Sequence, residues 1–423
     1  MRRLRLATAL ALALGVAPSH AFHDGGAGAC EGCHSMHAKP SELSGPTLLI
    51  GSDPSSTCLV CHAGATPGGY QVMTTNLAPQ LPPVQHTPGG DFAWLLKSYG
   101  WLEGGKYESS PGERHGHSVA AADLGLFPDL ERPTAPGGTY PSDRLGCVSC
   151  HDPHGRYRRN HDATVTASGA PIVGSGSYGG DQLREPAPGR AVGTYRLLGG
   201  VGYAPRSAGS VVPFSAPPPV ALAPPVYNRS ERSTDTRVAY GAGMSEWCAN
   251  CHGAIHTPSA VNSSSALEHP SGPLARLAGG GAASIYNQYV RTGDLSGIQA
   301  TSYTSMVPYE EGTTDRTTLA LHASSDGSQT GGPSTGNEQA MCLSCHRAHA
   351  TAWDHATRWN MPQSGTITFG GKWPGVDAGG EAALPANAQG RTQAETRAGM
   401  YDRDPSVYAS YQRVLCNKCH AKD

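Results

Sequence analysis

Twelve cysteines fall into six pairs, and a histidine directly follows each pair: Cys30-Glu-Gly-Cys33-His34, Cys58-Leu-Val-Cys61-His62, Cys147-Val-Ser-Cys150-His151, Cys248-Ala-Asn-Cys251-His252, Cys342-Leu-Ser-Cys345-His346 and Cys416-Asn-Lys-Cys419-His420. Two thiols about one helical turn apart can add to the two vinyl groups of a haem, and the histidine after the second thiol then lies over the iron. A solitary Cys-x-x-Cys-His would compete with a dithiol redox pair or half a zinc site. Here every cysteine is used and none is left for a disulfide framework. The pattern therefore points to six c-type haems, with His34, His62, His151, His252, His346 and His420 as proximal iron ligands.

Function then turns on the other axial position. An electron-transfer haem closes both sites of the iron, whereas a catalytic haem keeps one open. The chain holds 19 histidines, enough to give every iron two, while its eight methionines repeat at no fixed offset from the motifs. His37, His154 and His349 lie three residues after a proximal histidine, and His256 lies four after His252. A histidine one turn beyond its neighbour cannot bend back onto the same iron, so each is expected on an adjacent haem. Such crossed ligation would hold the haems close together. His117, in Arg-His-Gly-His-Ser-Val ahead of the third motif, is a further expected distal ligand. His23, His269 and His322 compete for the remaining position, and His86, His115, His161 and His355 read as surface residues. No motif ends in lysine instead of histidine, so a lysine-ligated catalytic haem has no support.

The elements that position these motifs cannot be long helices. The chain carries 55 glycines and 34 prolines in 423 residues, with 15% charged and 38% hydrophobic residues, and that density of helix breakers excludes a helical bundle or coiled coil. The apolar fraction suits a chain in which porphyrin fills much of the interior. The expected fold is mostly irregular coil with short helices and little strand, wrapped around a chain of six covalently bound haems. Motif starts at 30, 58, 147, 248, 342 and 416 have no common period, which argues against a solenoid. Short helices are expected around Asp91 to Lys97, Ser284 to Thr292, Gln393 to Asp402 and Pro405 to Val414, and Thr166 to Ser230 reads as an extended wrapping loop. Arg2, Arg3 and Arg5 before the apolar run Leu6 to Val16, with small residues ending at Ala21, read as a secretory signal over 1–21, leaving one hexahaem domain over 22–423. A formal charge of −2, made more acidic by loss of three arginines and by haem propionates, excludes a nucleic-acid binder and favours cationic partners. No other run is long and apolar enough to span a membrane.

Segments outside the motifs add a resemblance. Phe22-His23, the run from Cys30 to Ser35-Met36-His37, Pro88-Gly-Gly-Asp-Phe92, Ala135-Pro-Gly-Gly-Thr-Tyr-Pro141, His151-Asp-Pro-His154-Gly155, Met244-Ser-Glu-Trp247, His346-Arg-Ala-His-Ala350 and the ending from Tyr411-Gln-Arg413 to Asp423 resemble the OmcS-type hexahaem cytochromes. Those proteins polymerise outside the cell into conductive filaments, the cytochrome nanowires. The resemblance runs from the expected mature N-terminus to the last residue and departs mainly in the loops Thr166 to Ser230 and Thr351 to Gln412. It implies that all irons are bis-histidine and that His37 reaches into a neighbouring subunit to ligate the haem held by Cys342, Cys345 and His346. Haem motifs near both ends of the expected mature chain suit this, since a head-to-tail contact that does not close gives an open filament.

The function expected is a non-enzymatic, extracellular electron conduit, with copies of itself, donor cytochromes and extracellular acceptors as partners. A monomeric periplasmic hexahaem carrier and a multihaem oxidoreductase with one open haem are the alternatives. Because covalent haem supplies the core, protein made without the haem-attachment machinery is predicted to be largely disordered and quickly degraded. A compact apoprotein with cooperative thermal unfolding in calorimetry would refute this.

Overall fold

The computed structural model describes residues 30–35, 48–64, 70–78, 81–179, 186–206, 209, 211–225, 230–232, 234–256, 269–361 and 366–420. The signal segment 1–21, His23 and His37 lie outside these residues. What is described is mostly coil, pinned by short helices and small antiparallel sheets. Helix α1 spans Pro54–His62, the hairpin β1 and β2 Tyr99–Glu103 and Lys106–Ser110, and α2 Cys147–Cys150. A three-stranded sheet follows, with β3 (Arg158–Asn160) between β4 (Val165–Thr166) and β5 (Ala191–Gly193). Strands β6 (Val220–Leu222) and β7 (Ala239–Ala242) pair and lead into α3, Met244–His256. Then come α4 (Ala282–Gln288), α5 (Arg316–His322), α6 (Cys342–Cys345), β8 (Thr366–Phe369), α7 (Pro385–Ala388), α8 (Gln393–Gly399) and β9 (Tyr411–Arg413), which pairs with β8. No helix among the described residues is long and apolar enough to cross a membrane.

Local chemistry explains where these pieces start. Asp53 caps α1, accepting from Ser56 N at 2.8 Å, and Pro54 supplies the preset φ of a first helical residue. Thr392 and Glu395 form a reciprocal capping box on α8. Phe92–Leu96 is a 3-10 helix capped by Asp91, α4 overlaps the expected stretch Ser284 to Thr292 but starts two residues earlier, and α8 lies within Gln393 to Asp402. The fourth expectation fails: after a 3-10 turn at Pro405–Val407 the chain extends at Tyr408 and becomes β9. Pairing with β8 overrides the local helical pattern there. The supposed wrapping loop Thr166 to Ser230 likewise contributes β5 and β6, because β3 and β7 offer it edges.

The core is aromatic and cationic. Trp94, Trp359, Tyr286 and Tyr289 are among the largest fully buried side chains, and so are Arg159, Arg347, Arg358 and Arg391. Buried arginine requires partners. Arg347 lies over the Tyr401 ring at 3.6 Å and pairs with buried Glu231 at 2.8 Å, while Arg391 lies 4.2 Å from the Tyr99 centroid. Arg358 stands 3.7 Å from the same Glu231 carboxylate. Glu231→Ala would therefore strand two buried guanidinium groups at a cost of about 3–5 kcal/mol. The expected result is a markedly lower thermal midpoint for the holoprotein, with Glu231→Gln much milder; equal midpoints for Glu231→Ala and the wild type would refute this account of the core.

Candidate haem sites

Each attachment motif closes one helical turn. The proximal amide donates back to the carbonyl of the first cysteine at His34 (2.8 Å), His151, His346 and His420 (3.0 Å each), and the equivalent residues 62 and 252 lie within α1 and α3. This puts the two thiols on one face and the imidazole beside them. No two of the twelve cysteines are joined in a disulfide. The attachment sites also follow one another in chain order: Cys33 lies within electrostatic reach of Cys61, Cys58 faces Cys147, Cys150 neighbours Cys251, Cys248 faces Cys342, and Cys345 neighbours Cys416 and Cys419.

The imidazoles are aimed by the backbone. Nδ1 hydrogen-bonds a carbonyl in His62 (Tyr70 O, 2.8 Å), His151 (Arg196 O, 2.7 Å), His252 (Pro136 O, 2.8 Å) and His346 (His355 O, 2.7 Å). Among the expected distal residues His117 does the same to Ala348 O at 2.8 Å, and His269 to Pro270 O at 2.6 Å. Such a bond fixes the tautomer with Nδ1 protonated and leaves the Nε2 lone pair for a metal. Burial first, then neighbouring histidines, lowers His117, and it pushes His349 down to about 3, so these rings are neutral and able to ligate.

Three proximal rings face a second imidazole. His34 and His154 are stacked with centroids 6.5 Å apart, His117 and His252 lie 6.1 Å apart, and His269 and His420 lie 6.0 Å apart. Two imidazoles bound to one metal from opposite sides, each by a bond of about 2 Å, put their centroids about 6 Å apart. The donor set therefore fits bis-histidine haem. His349 is held on Phe92, 4.6 Å between centroids, beside His151, His117 and His62. Gly89 makes room for it, since a Cβ there would sit 2.8 Å from the His349 Nδ1.

Two expected distal residues go elsewhere. His256 has Nδ1 3.2 Å from Ser271 Oγ and Nε2 3.9 Å from Glu246. The reason is the backbone: His151 and His346 are extended and throw the chain away from their motif, but α3 runs on through a kink at His252 and keeps His256 beside its own turn. His322 has Nδ1 2.5 Å from Glu311 Oε2, at the end of α5. His86 and His115, expected on the surface, are buried instead. His115 is bonded at both nitrogens, to Trp94 O and Ser110 Oγ, so it is a structural residue. His161 shares the Nδ1 to carbonyl bond, to Pro186 O at 2.7 Å, but lies outside the three facing pairs, so that bond alone does not mark a ligand.

Residues without a motif signature support the sites. Arg358 Nε donates to the carbonyls of Leu343 and His346, closing the end of the α6 turn. The loop Ala135 to Gly138 lies on the fourth motif, with Gly137 O accepting from Ala254 N at 2.8 Å. A Cβ on Gly138 would clash with the Cys251 carbonyl. Gly138→Ala is expected to displace Pro136 O from His252, destabilise the holoprotein by about 1–3 kcal/mol and shift the low-spin electron-resonance signal of one haem. Gly279→Ala, with open space around it, should leave both readouts unchanged; an unchanged Gly138→Ala would overturn the packing argument.

No family model matches the chain. It is 45% identical over 436 aligned positions to the C-type cytochrome OmcS of Geobacter sulfurreducens, covering 98% of this chain and 97% of that one. Two solved structures are similar, each with a TM-score of 0.84 over 95% of this chain and the whole of the other. One is the cryo-EM structure of the OmcS nanowires from Geobacter sulfurreducens, at 44% identity, and the other is the outer membrane cytochrome S filament from the same organism, at 43%.

Proposed function

The chain belongs to the family of the c-type cytochrome OmcS, and from that membership we propose that it is an extracellular electron conduit: a hexahaem cytochrome, exported after loss of 1–21, whose single domain 22–423 polymerises head to tail into a conductive filament. The observation that carries the reading is the opposed imidazole pair at three motifs, with attachment sites succeeding one another in chain order. Closed axial positions suit electron transfer and not substrate binding. Bound at these motifs, haem c supplies a one-electron ferric/ferrous couple.

The residues divide as follows in this proposal. Cys30 and Cys33, Cys58 and Cys61, Cys147 and Cys150, Cys248 and Cys251, Cys342 and Cys345, and Cys416 and Cys419 hold the six haems. His34 pairs with His154, His252 with His117 and His420 with His269, on the ring distances above. His349, whose strongest histidine neighbour is His151, completes the third iron. That leaves His62 and His346, and the two expected ligands outside the described residues, His23 and His37. His37 serves His346 of the next subunit, as the family resemblance implies, and His23 serves His62. His256 and His322 are not ligands. The filament passes electrons from donor cytochromes to an extracellular acceptor; its closed irons make it no enzyme.

The oxidised protein is expected to be wholly low-spin. His37→Ala should leave one iron in six high-spin, that of Cys342 and Cys345, and should abolish long filaments in electron micrographs while all haems are still attached. Added imidazole should restore the low-spin spectrum without restoring the filament. Normal filaments with six low-spin irons in His37→Ala would refute ligation in trans, and a wild type that stays monomeric would replace the conduit with a periplasmic carrier.

A further inference from the structure

Helices α2 and α6 are single turns that cannot cap themselves from the residue before them. Their N-cap residues are Gly146, which has no side chain, and Met341, whose thioether is a poor acceptor. The first amides of such a turn need partners. In both helices the serine between the cysteines serves its own motif, Ser149 Oγ accepting from Gly146 N and Ser344 Oγ from Met341 N, each at 3.0 Å. The amide of the first cysteine, however, donates to another motif. Cys147 N bonds Ser55 Oγ at 3.0 Å, and Cys342 N bonds Ser245 Oγ at 3.2 Å.

Ser55 and Ser245 occupy the same place in two different motifs. Each is the second residue of its helix and lies three residues before the first cysteine, in Ser55-Ser-Thr-Cys58 and Ser245-Glu-Trp-Cys248. At that spacing serine and cysteine share one helix face. The serine tie therefore brings first cysteine to first cysteine, Cys58 to Cys147 and Cys248 to Cys342. Both serines are fully buried, at 1% and 0% exposure. The corresponding positions of the other four motifs are Ala27, Arg144, Gln339 and Arg413. The remaining junctions are correspondingly different: each involves a second cysteine, Cys33 with Cys61, Cys150 with Cys251, and Cys345 with Cys416 and Cys419.

We propose that Ser55 and Ser245 are positioning residues for electron transfer, each fixing the spacing of two successive haems by capping the attachment turn of the next motif. The proposal rests on the hexahaem conduit reading. Hopping between haems falls steeply with the gap between them, so a buried tie between two attachment turns acts on the rate through distance as well as on stability through the cap. Without the tie, α2 and α6 are free to slide against α1 and α3, with which they pack.

The experiment uses the isosteric pair Ser245→Thr and Ser245→Val, with the same pair at Ser55 and with Ser344→Ala and Ser149→Ala for comparison. Haem content and spin state are measured first, then the exciton-coupled Soret circular dichroism and the conductance of single filaments. The valine variants should keep six low-spin haems, lose a large part of the Soret couplet and conduct several-fold less than the threonine variants. Ser344→Ala, which loses only a cap within its own motif, and Ser149→Ala, which also loses the bond from the Tyr140 hydroxyl, should lower the thermal midpoint without changing the couplet. Valine and threonine variants with the same couplet and conductance would overturn the proposal, and so would an equal loss in Ser344→Ala. A wild type with fewer than six low-spin haems would instead refute the conduit reading itself. Should the Ser245→Val variant fail to mature, the Ser55 pair decides by the same comparison.

Discussion

An imidazole that gives its Nδ1 proton to a backbone carbonyl can offer a metal only Nε2, in one direction. That bond recurs at His62, His151, His252, His346, His117 and His269, and the rest of the architecture serves it. The acceptors lie outside regular helix and sheet: Tyr70, Pro136, Ala348 and Pro270 present their carbonyls from loops and turns, and Arg196 and His355 do so as left-handed residues (φ 52° and 62°) inside the 3-10 turns Tyr195–Leu197 and Asp354–Ala356. A chain with so much irregular structure is thus a set of carbonyl presenters around six attachment turns. Its glycines allow close approach, as where Gly89 and Gly138 lie against His349 and Cys251.

The same constraint shapes the core. Loops that wrap attachment turns bring arginines inward, and these are balanced by Glu231, Asp235 and Glu311 and by the faces of tyrosines. Burial that keeps histidines neutral also raises buried phenols and lowers Arg358 and Arg391, whose guanidinium groups lie among aromatic rings and carbonyls. Electrostatics and packing therefore meet at the α6 turn. Arg358 holds its last carbonyls, and Ser245 its first amide.

Two of the junctions between successive motifs are built alike, and the repetition is informative because the intervening chain differs. Between the second and third motifs lies the β1–β2 hairpin, and between the fourth and fifth lie α4 and α5. The shared features are local: a serine one turn ahead of the upstream cysteine, a one-turn helix downstream and facing first cysteines. Spacing between neighbouring sites is thereby set by short contacts, independent of the length of the loop between them.

The proposed haem attachment is a reading of the residues alone. Six Cys-x-x-Cys-His motifs propose their attachment atoms and proximal ligands because the spacing is local, one helical turn, and such a turn forms at each motif. Composition likewise limited the helices to short ones, and two of the expected stretches, Asp91 to Lys97 and Gln393 to Asp402, hold one each. The placement of the other histidines was not local. His154 and His349 leave their motifs because the backbone extends at His151 and His346, while His256 stays because α3 continues, a choice the sequence pattern of His-x-x-His against His-x-x-x-His does not display. Which carbonyl meets each Nδ1, which of the remaining histidines is buried, and that a serine in one motif caps the next, were decided only when distant segments packed. Apart from His269 with its neighbour Pro270, those contacts join residues from 8 to 231 positions apart, as in His62 with Tyr70 and His117 with Ala348, and no local pattern encodes such separations.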